Sequence, residues 1–285
     1  MNGLKISVLL VGLTLIFIMI GRVVGGQGGM IIAFGLAIVM NFFSYWFSDK
    51  IVLKMYKAQP ADEQRDSKLL SIVHEASLMA GLPMPRVFII PTRAPNAFAT
   101  GRNAEHAAVA VTDGLVEMMN HDELEGVIAH ELAHVKNKDI LIGTIAATMA
   151  GAIGILATMA RWGALFGGYG SRDDRNGGII GLIIMSLVAP LAAMVIQMAI
   201  SRSREYKADR VGGEITNKPT ALASALEKLH SSKIQINIDN KPATAHLFIA
   251  SPLSRKGLTN LFSTHPPVEE RVRRLREQAN MPVLS

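Results

Sequence analysis

Apolar residues fall in two patterns along this chain: long unbroken runs, and short segments with a helical or strand period. Four unbroken runs, about 6–21, 30–47, 140–160 and 177–200, meet or approach the roughly 17–25 apolar residues a helix needs to cross a hydrocarbon core. The first is short, but Lys5 and Arg22 flank it and their aliphatic stems can carry the charges out to the interfaces. A glycine-rich turn, Gly25-Gly26-Gln27-Gly28-Gly29, joins the first pair of runs, and a solvated loop at 167–178 joins the second. A cleaved leader is the competing reading of residues 1–24, and it needs a small-residue cleavage site where the chain has Arg22-Val23-Val24-Gly25.

The periodic segments lie between and after the runs. Residues 66–80 read as an amphipathic helix with Leu69, Val73, Ala76 and Ala80 on one face, stopped by Gly81-Leu82-Pro83. Three short extended segments follow, 86–90, 97–100 and 107–111, which together predict a small sheet with turn-rich connections. Thr112 or Asp113 can cap a short helix through Met119, and His121-Asp122-Glu123 opens the next one. Beyond the fourth run, 202–212 continues as helix, 219–230 is a helix with Pro219 in its first turn, 231–245 is polar and irregular, and 268–278 is a charged helix. The expected fold is a mainly α membrane protein with four transmembrane helices and a cytoplasmic α+β domain. It divides into a first hairpin (1–48), a soluble region (49–139), a second hairpin (140–201) and a C-terminal soluble region (202–285).

Composition supports this division. Of the 285 residues 49% are hydrophobic and only 18% charged, which is unlike an ordinary soluble domain. Lys50, Lys54, Lys57, Lys136, Lys138, Arg202, Arg204 and Lys207 crowd one side of the runs, against Arg22, Arg161, Arg172 and Arg175 on the other. The positive-inside rule makes the first side cytoplasmic, with both termini there. The net charge of +6 is therefore read as topogenic charge facing a lipid bilayer, and no nucleic-acid partner is expected. The chain has no cysteine, so disulfides and thiolate metal ligands are excluded, and any metal must be held by His, Asp or Glu.

Six residues before the third run ends the pentad His130-Glu131-Leu132-Ala133-His134. On a helix its histidines, four residues apart, share a face and can share a cation, with the glutamate about 100° away as a base. A catalytic zinc usually takes three protein ligands and leaves a position for water. Glu205 is the best candidate for the third. The third and fourth runs must be antiparallel, and His134 lies about 9 Å of helix rise before one while Glu205 lies about 6 Å beyond the other. Glu105, Glu117, Glu123 and Glu125 are rivals, and Glu205 could instead belong to a solvated charge cluster with Arg202, Arg204, Lys207 and Arg210. Asp209, four residues on, can accept a hydrogen bond from a ligand imidazole and fix its tautomer. One Zn²⁺ per chain would lower the pKa of a bound water and polarise a carbonyl, with Glu131 as general base and then acid.

These residues, together with Ser203-Arg204-Glu205-Tyr206-Lys207-Ala208-Asp209, Pro95-Asn96-Ala97-Phe98-Ala99-Thr100-Gly101 and Thr264-His265-Pro266-Pro267, resemble the HtpX-type membrane zinc endopeptidases, relatives of the CAAX prenyl endopeptidases. The resemblance implies a zincin-like domain of the gluzincin type. It implies His130, His134 and Glu205 as zinc ligands, Glu131 as catalytic base, Asp209 in support, and His265 near the cleft as a stabiliser of the transition state. It also implies that Asn96, Ala97, Phe98 and Ala99 form an edge strand that pairs with substrate. Small side chains there would let another chain approach, although a core strand anchored by Phe98 is the plainer reading.

The expected function is hydrolysis of polypeptide substrates, misfolded or damaged membrane proteins, on the cytoplasmic side of a bacterial inner membrane, within a stress response. One alternative is a dedicated processing protease of lipidated or signal-derived peptides. Another, from a different class, is a non-catalytic metal-binding membrane protein. Against transport, the runs carry almost no ionisable residues.

Overall fold

The structure is a computed structural model that describes residues 2–146, 202–232, 249 and 266–280. The expected third and fourth runs therefore lie outside the described residues except at 140–146, as do 231–245 for the most part, the 167–178 loop and His265.

The first two runs form a single helical element, α1 (Asn2–Met55), folded back on itself at Gly26. Gly26 has φ +60°, a left-handed conformation open to glycine without steric cost. In a straight helix Leu10 and Asn41 would stand roughly 46 Å apart. Instead Asn41 Nδ2 donates to Leu10 O at 3.3 Å and to Thr14 Oγ1 at 2.9 Å. The second arm, Gly26–Met55, is long and apolar enough to cross a membrane, while Ile6–Met19 in the first arm is a shorter apolar stretch. The second arm buries small residues, Ala33, Ala37, Ser44 and Ser48, at the spacing that lets helices approach closely. Its opposite stripe of Phe34, Ile38, Phe42 and Trp46 stays exposed. The helix that starts the third run adds Ile142, Ile145 and Ala146 against Ile6, Leu10, Phe17, Met40 and Tyr45.

Four strands, β1 (Gln59–Pro60), β2 (Arg86–Ile90), β3 (Ala97–Thr100) and β4 (Ala108–Thr112), form one sheet in the order β1-β2-β4-β3. β2 and β4 are parallel, with Phe88 opposite Ala110; the two edge strands are antiparallel to their neighbours. The pattern of apolar residues did not mark β1, which is two residues long and ends in a proline, a residue confined to edges because it cannot donate to a ladder. Alternation sorts the side chains between two faces. Phe88, Phe98, Ala108 and Ala110 meet Val52, Leu53 and Tyr56 at the end of α1. Val87, Ile89, Ala97, Ala99, Val109 and Val111 join the main core.

That core is built on α2 (Ser67–Ala80), α3 (Asp113–Met118) and α4 (His121–Lys136). Thr112 caps α3 by accepting from Leu115 N. α4 begins with a reciprocal capping box, Asn120 accepting from Glu123 N and Glu123 accepting from Asn120 N. On the far side lie α5 (Arg202–Thr216), α6 (Pro219–Ser231) and α7 (Val268–Ala279). α4 is thus enclosed, and its residues from Glu123 to Ala133 are all buried.

Candidate metal centre

Helical spacing fixes what α4 offers. His130 and His134 lie one turn apart, with ring centroids 4.9 Å apart and planes nearly perpendicular. α5 presents Glu205, Asp209 and Gly212 on the face that meets α4. Gly212 sits where the two backbones nearly touch: a Cβ there would be 3.0 Å from His130 N and 3.1 Å from its Cα. This close approach brings Glu205 to the imidazoles, Oε1 3.6 Å from His134 Nε2 and Oε2 3.9 Å from His130 Nε2. One ligand atom from each of the three lies within 4.8 Å of the others. Ligands at about 2.0–2.2 Å around a tetrahedral zinc stand about 3.3 Å apart, so this donor set fits a small divalent ion with a slight contraction.

Each imidazole has a carboxylate behind it. His130 Nδ1 is 3.0 Å from Asp209 Oδ1, close enough that a small turn of the ring makes Nδ1 the donor and leaves the Nε2 lone pair for an ion. Burial lowers the His130 pKa, and Asp209 only partly offsets that. His134 Nδ1 is 3.8 Å from Asp139 Oδ2. For His134 burial acts downward, but Asp139, Glu205 and Glu131 outweigh it and raise the pKa to about 9; the same negative charges favour a cation in the proton's place. His134 and Glu205 keep 17% and 12% side-chain exposure against 1% for His130, so the open side of the site is theirs.

Glu131 is buried, which pushes its pKa up to about 7 against the pull of His134 and a hydrogen bond from Ala99. That bond, Ala99 N–H to Glu131 Oε2 at 2.9 Å, comes from the edge of β3 away from β4, which among the described residues is a free edge. Of the other β3 candidates, Phe98 turns into the core against Tyr56, with ring centroids 5.4 Å apart. Ala97 packs in the main core, and Asn96 is buried with its Oδ1 accepting from Ile249 N at 3.2 Å. What β3 offers the glutamate, among the described contacts, is its backbone edge at Ala99.

The rival carboxylates lie elsewhere. Glu123 binds Lys228 Nζ at 2.6 Å and Ser224 Oγ at 2.7 Å. Glu125 binds Lys218 Nζ at 3.0 Å, and Glu105 and Glu117 are exposed. A second group, His121, Asp122 and Glu125, has ligand-like spacing, but Lys218 already bridges its two carboxylates.

Sequence reasoning missed Arg271. It is fully buried, forks onto Asp209 through Nε at 2.8 Å and Nη2 at 2.7 Å, and donates through Nη1 to Ile249 O at 2.8 Å. Asp209 is consequently held at about 2 despite burial, which acts upward. The available signal was phase: Arg271 falls on the apolar stripe of Val268, Val272 and Leu275. Asp139, behind His134, was missed as well.

The model of peptidase family M48 matches residues 63–279. The chain belongs to that family. Among curated relatives of this M48 peptidase, a "Protease HtpX homolog" from Desulforapulum autotrophicum is 59% identical over 276 residues, covering 96% of this chain and 89% of the relative. Another of the same name from Desulfatibacillum aliphaticivorans is 57% identical over 275 residues, with the same coverage. A third, from Pyrococcus furiosus, is 54% identical over 277 residues, covering 96% and 95%. The crystal structure of S. mikatae Ste24p is similar in fold, with TM-score 0.53 and 20% identity over 96% of this chain and 64% of that one. The chain is therefore a membrane-associated metalloprotease whose centre carries a His-His-Glu cluster suited to a metal.

Proposed function

We propose that this M48 peptidase is a four-span zinc endopeptidase of the cytoplasmic membrane, cleaving misfolded or damaged membrane proteins on the cytoplasmic side as part of a stress response. The observation that carries the reading is the convergence of His130, His134 and Glu205 beside a buried Glu131 that is tied to the free edge of β3. The excess of lysine and arginine on the side of the site supports its cytoplasmic orientation.

His130, His134 and Glu205 would hold the Zn²⁺. When bound, the ion supplies Lewis acidity, which polarises the scissile carbonyl and acidifies a water. Glu131, with a pKa raised by burial, takes the proton from the attacking water as its oxygen bonds to the carbonyl carbon. It then delivers that proton to the departing nitrogen as the C–N bond breaks, leaving a carboxylate and an amine. The Asp209–Arg271 pair holds the His130 ring and its tautomer. The backbone edge of β3 would align the substrate as an added strand. His265 is assigned the stabilisation of the developing oxyanion on the strength of the HtpX resemblance.

The test is to purify wild type and Glu131→Gln in detergent, load both with zinc and follow casein hydrolysis. The expected result is stoichiometric zinc in both and cleavage by wild type alone. Equal cleavage would remove Glu131 from the reaction. Glu205→Ala should lose zinc, and unchanged zinc binding would overturn its assignment as ligand.

A further inference from the structure

Away from the metal, the second arm of α1 ends at a cavity of about 660 Å³, where it meets the turn between β3 and β4. The walls are of two kinds. Phe42 and Trp46 continue the exposed stripe of Phe34 and Ile38, one residue per turn. Lys50, the next residue on that stripe, joins Arg86 and Arg102 to form a cationic end beside His106. From Gly26 to Trp46 the helix rises about 30 Å, the thickness of a hydrocarbon core. The apolar wall thus reaches the depth where acyl chains end, and the cations begin where headgroups sit.

The cations are held in position. Arg102 stacks on the Trp46 ring at 4.8 Å and Lys50 lies over the Phe47 ring at 5.4 Å. His106 Nδ1 is 2.7 Å from Asn103 Oδ1, so its Nε2 accepts from Arg102 Nη2 and helps to fix the guanidinium. Arg86 is paired with Asp49 at 2.6 Å. Among the described residues, no carboxylate lies within 4.0 Å of Lys50 or Arg102. Glu105 is the one other acid among the described lining residues, whose charges leave a net positive sum.

We propose that this cavity binds the phosphodiester headgroup of an anionic phospholipid, with Lys50 and Arg102 on the phosphate and an acyl chain along the Trp46–Phe42–Ile38–Phe34 stripe. Guanidinium and ammonium groups at the interface are suited to phosphate oxygens. The occupant would wedge between α1 and the sheet that carries Ala99. The inference rests on the reading of Gly26–Met55 as a membrane span.

The full chain with Trp162→Phe leaves Trp46 as the only tryptophan, so that its fluorescence reports the cavity in reconstituted vesicles of unlabelled phosphatidylcholine. Brominated phosphatidylglycerol should reach half-maximal quenching at a mole fraction about five- to tenfold lower than brominated phosphatidylcholine. Lys50→Gln with Arg102→Gln should erase this preference, and each single change should reduce it. Lys54→Gln with Lys57→Gln, which removes two nearby charges outside the cavity, should keep it. Strong quenching by both lipids alike would overturn the headgroup site while leaving the membrane span intact. No quenching by either would overturn the span, and the site with it. A preference lost equally in the Lys54/Lys57 variant, or abolished by inorganic phosphate, would assign the effect to general surface charge or a soluble anion and overturn the proposal.

Discussion

Arg271 Nη2 donates to Asp209 Oδ1 at 2.7 Å, and the same oxygen lies 3.0 Å from His130 Nδ1. A residue of the C-terminal helix therefore bears on an imidazole of the pentad through one carboxylate, and both partners of the ion pair are out of water.

Arg271→Met should be costly, because it leaves Asp209 buried without its countercharge, a loss of about 3–5 kcal/mol. Its thermal midpoint in detergent should fall by several degrees. Arg271→Met combined with Asp209→Leu should recover much of that stability, since neither charge is then stranded. It should not recover metal affinity, which is expected to drop about 10–100-fold because nothing then orients His130. Chelator competition and thermal unfolding on the same three proteins separate the two effects.

Gly212 and Gly126 both lie at close helix contacts, but against different neighbours. A Cβ on Gly212 would meet the His130 backbone at 3.0 Å, and one on Gly126 would meet Leu222 N at 3.0 Å. Gly212→Ala should push α5 away from α4 and weaken metal binding as well as stability. Gly126→Ala should lower the thermal midpoint and leave the metal Kd nearly unchanged. Equal metal affinities in the two variants would break the link between the Gly212 contact and the site.

Ala99→Pro removes the N–H that Glu131 accepts. Since Ala99 N faces the free edge rather than β4, proline is tolerable there. The expected outcome is retained zinc and a fall in kcat of about tenfold or more, in line with about 1.5–3 kcal/mol for a hydrogen bond to a charged group. Ala99→Gly, which keeps the donor, should stay close to wild type. Casein kinetics on zinc-loaded protein checks both.

Glu123 gives a pH dependence unconnected with catalysis. Burial would raise its pKa, but Lys228, Ser224 and the Asn120 N–H outweigh that and hold it below the usual glutamate range. Because the folded pKa lies below the unfolded one, the stabilisation is complete above the unfolded value and is lost as pH falls through the folded value. Wild type should therefore lose thermal stability more steeply below about pH 4.5 than Glu123→Gln does. Parallel midpoint-versus-pH curves would refute this assignment.

Much of the frame was legible because it is encoded locally. Period and caps placed α2, α3, α4 and α6 to within a residue or two, and the glycines at 25–29 marked the fold-back of α1. The i, i+4 spacing put His130 beside His134 and Glu205 beside Asp209 on their helices. What joins the two pairs is less local. The approach at Gly212 depends on the packing of α5 against α4, and the ties from Arg271 to Asp209 and Ile249 span 62 and 22 residues. Arg271 is one of several charges in α7, and only its place on the apolar stripe distinguishes it. The parallel pairing of β2 with β4 was equally hidden, because β3 intervenes in the chain yet lies outside β4 in the sheet.

The position of Arg271 also sets an order of assembly during synthesis. His130, Glu131, His134, Glu205 and Asp209 all leave the ribosome before it does. Until α7 emerges, docking α5 on α4 would bury Asp209 with no guanidinium to meet it, which disfavours closure. A half-made chain thus carries His130, Glu131, His134, Glu205 and Asp209 without the guanidinium that balances Asp209 in the folded protein.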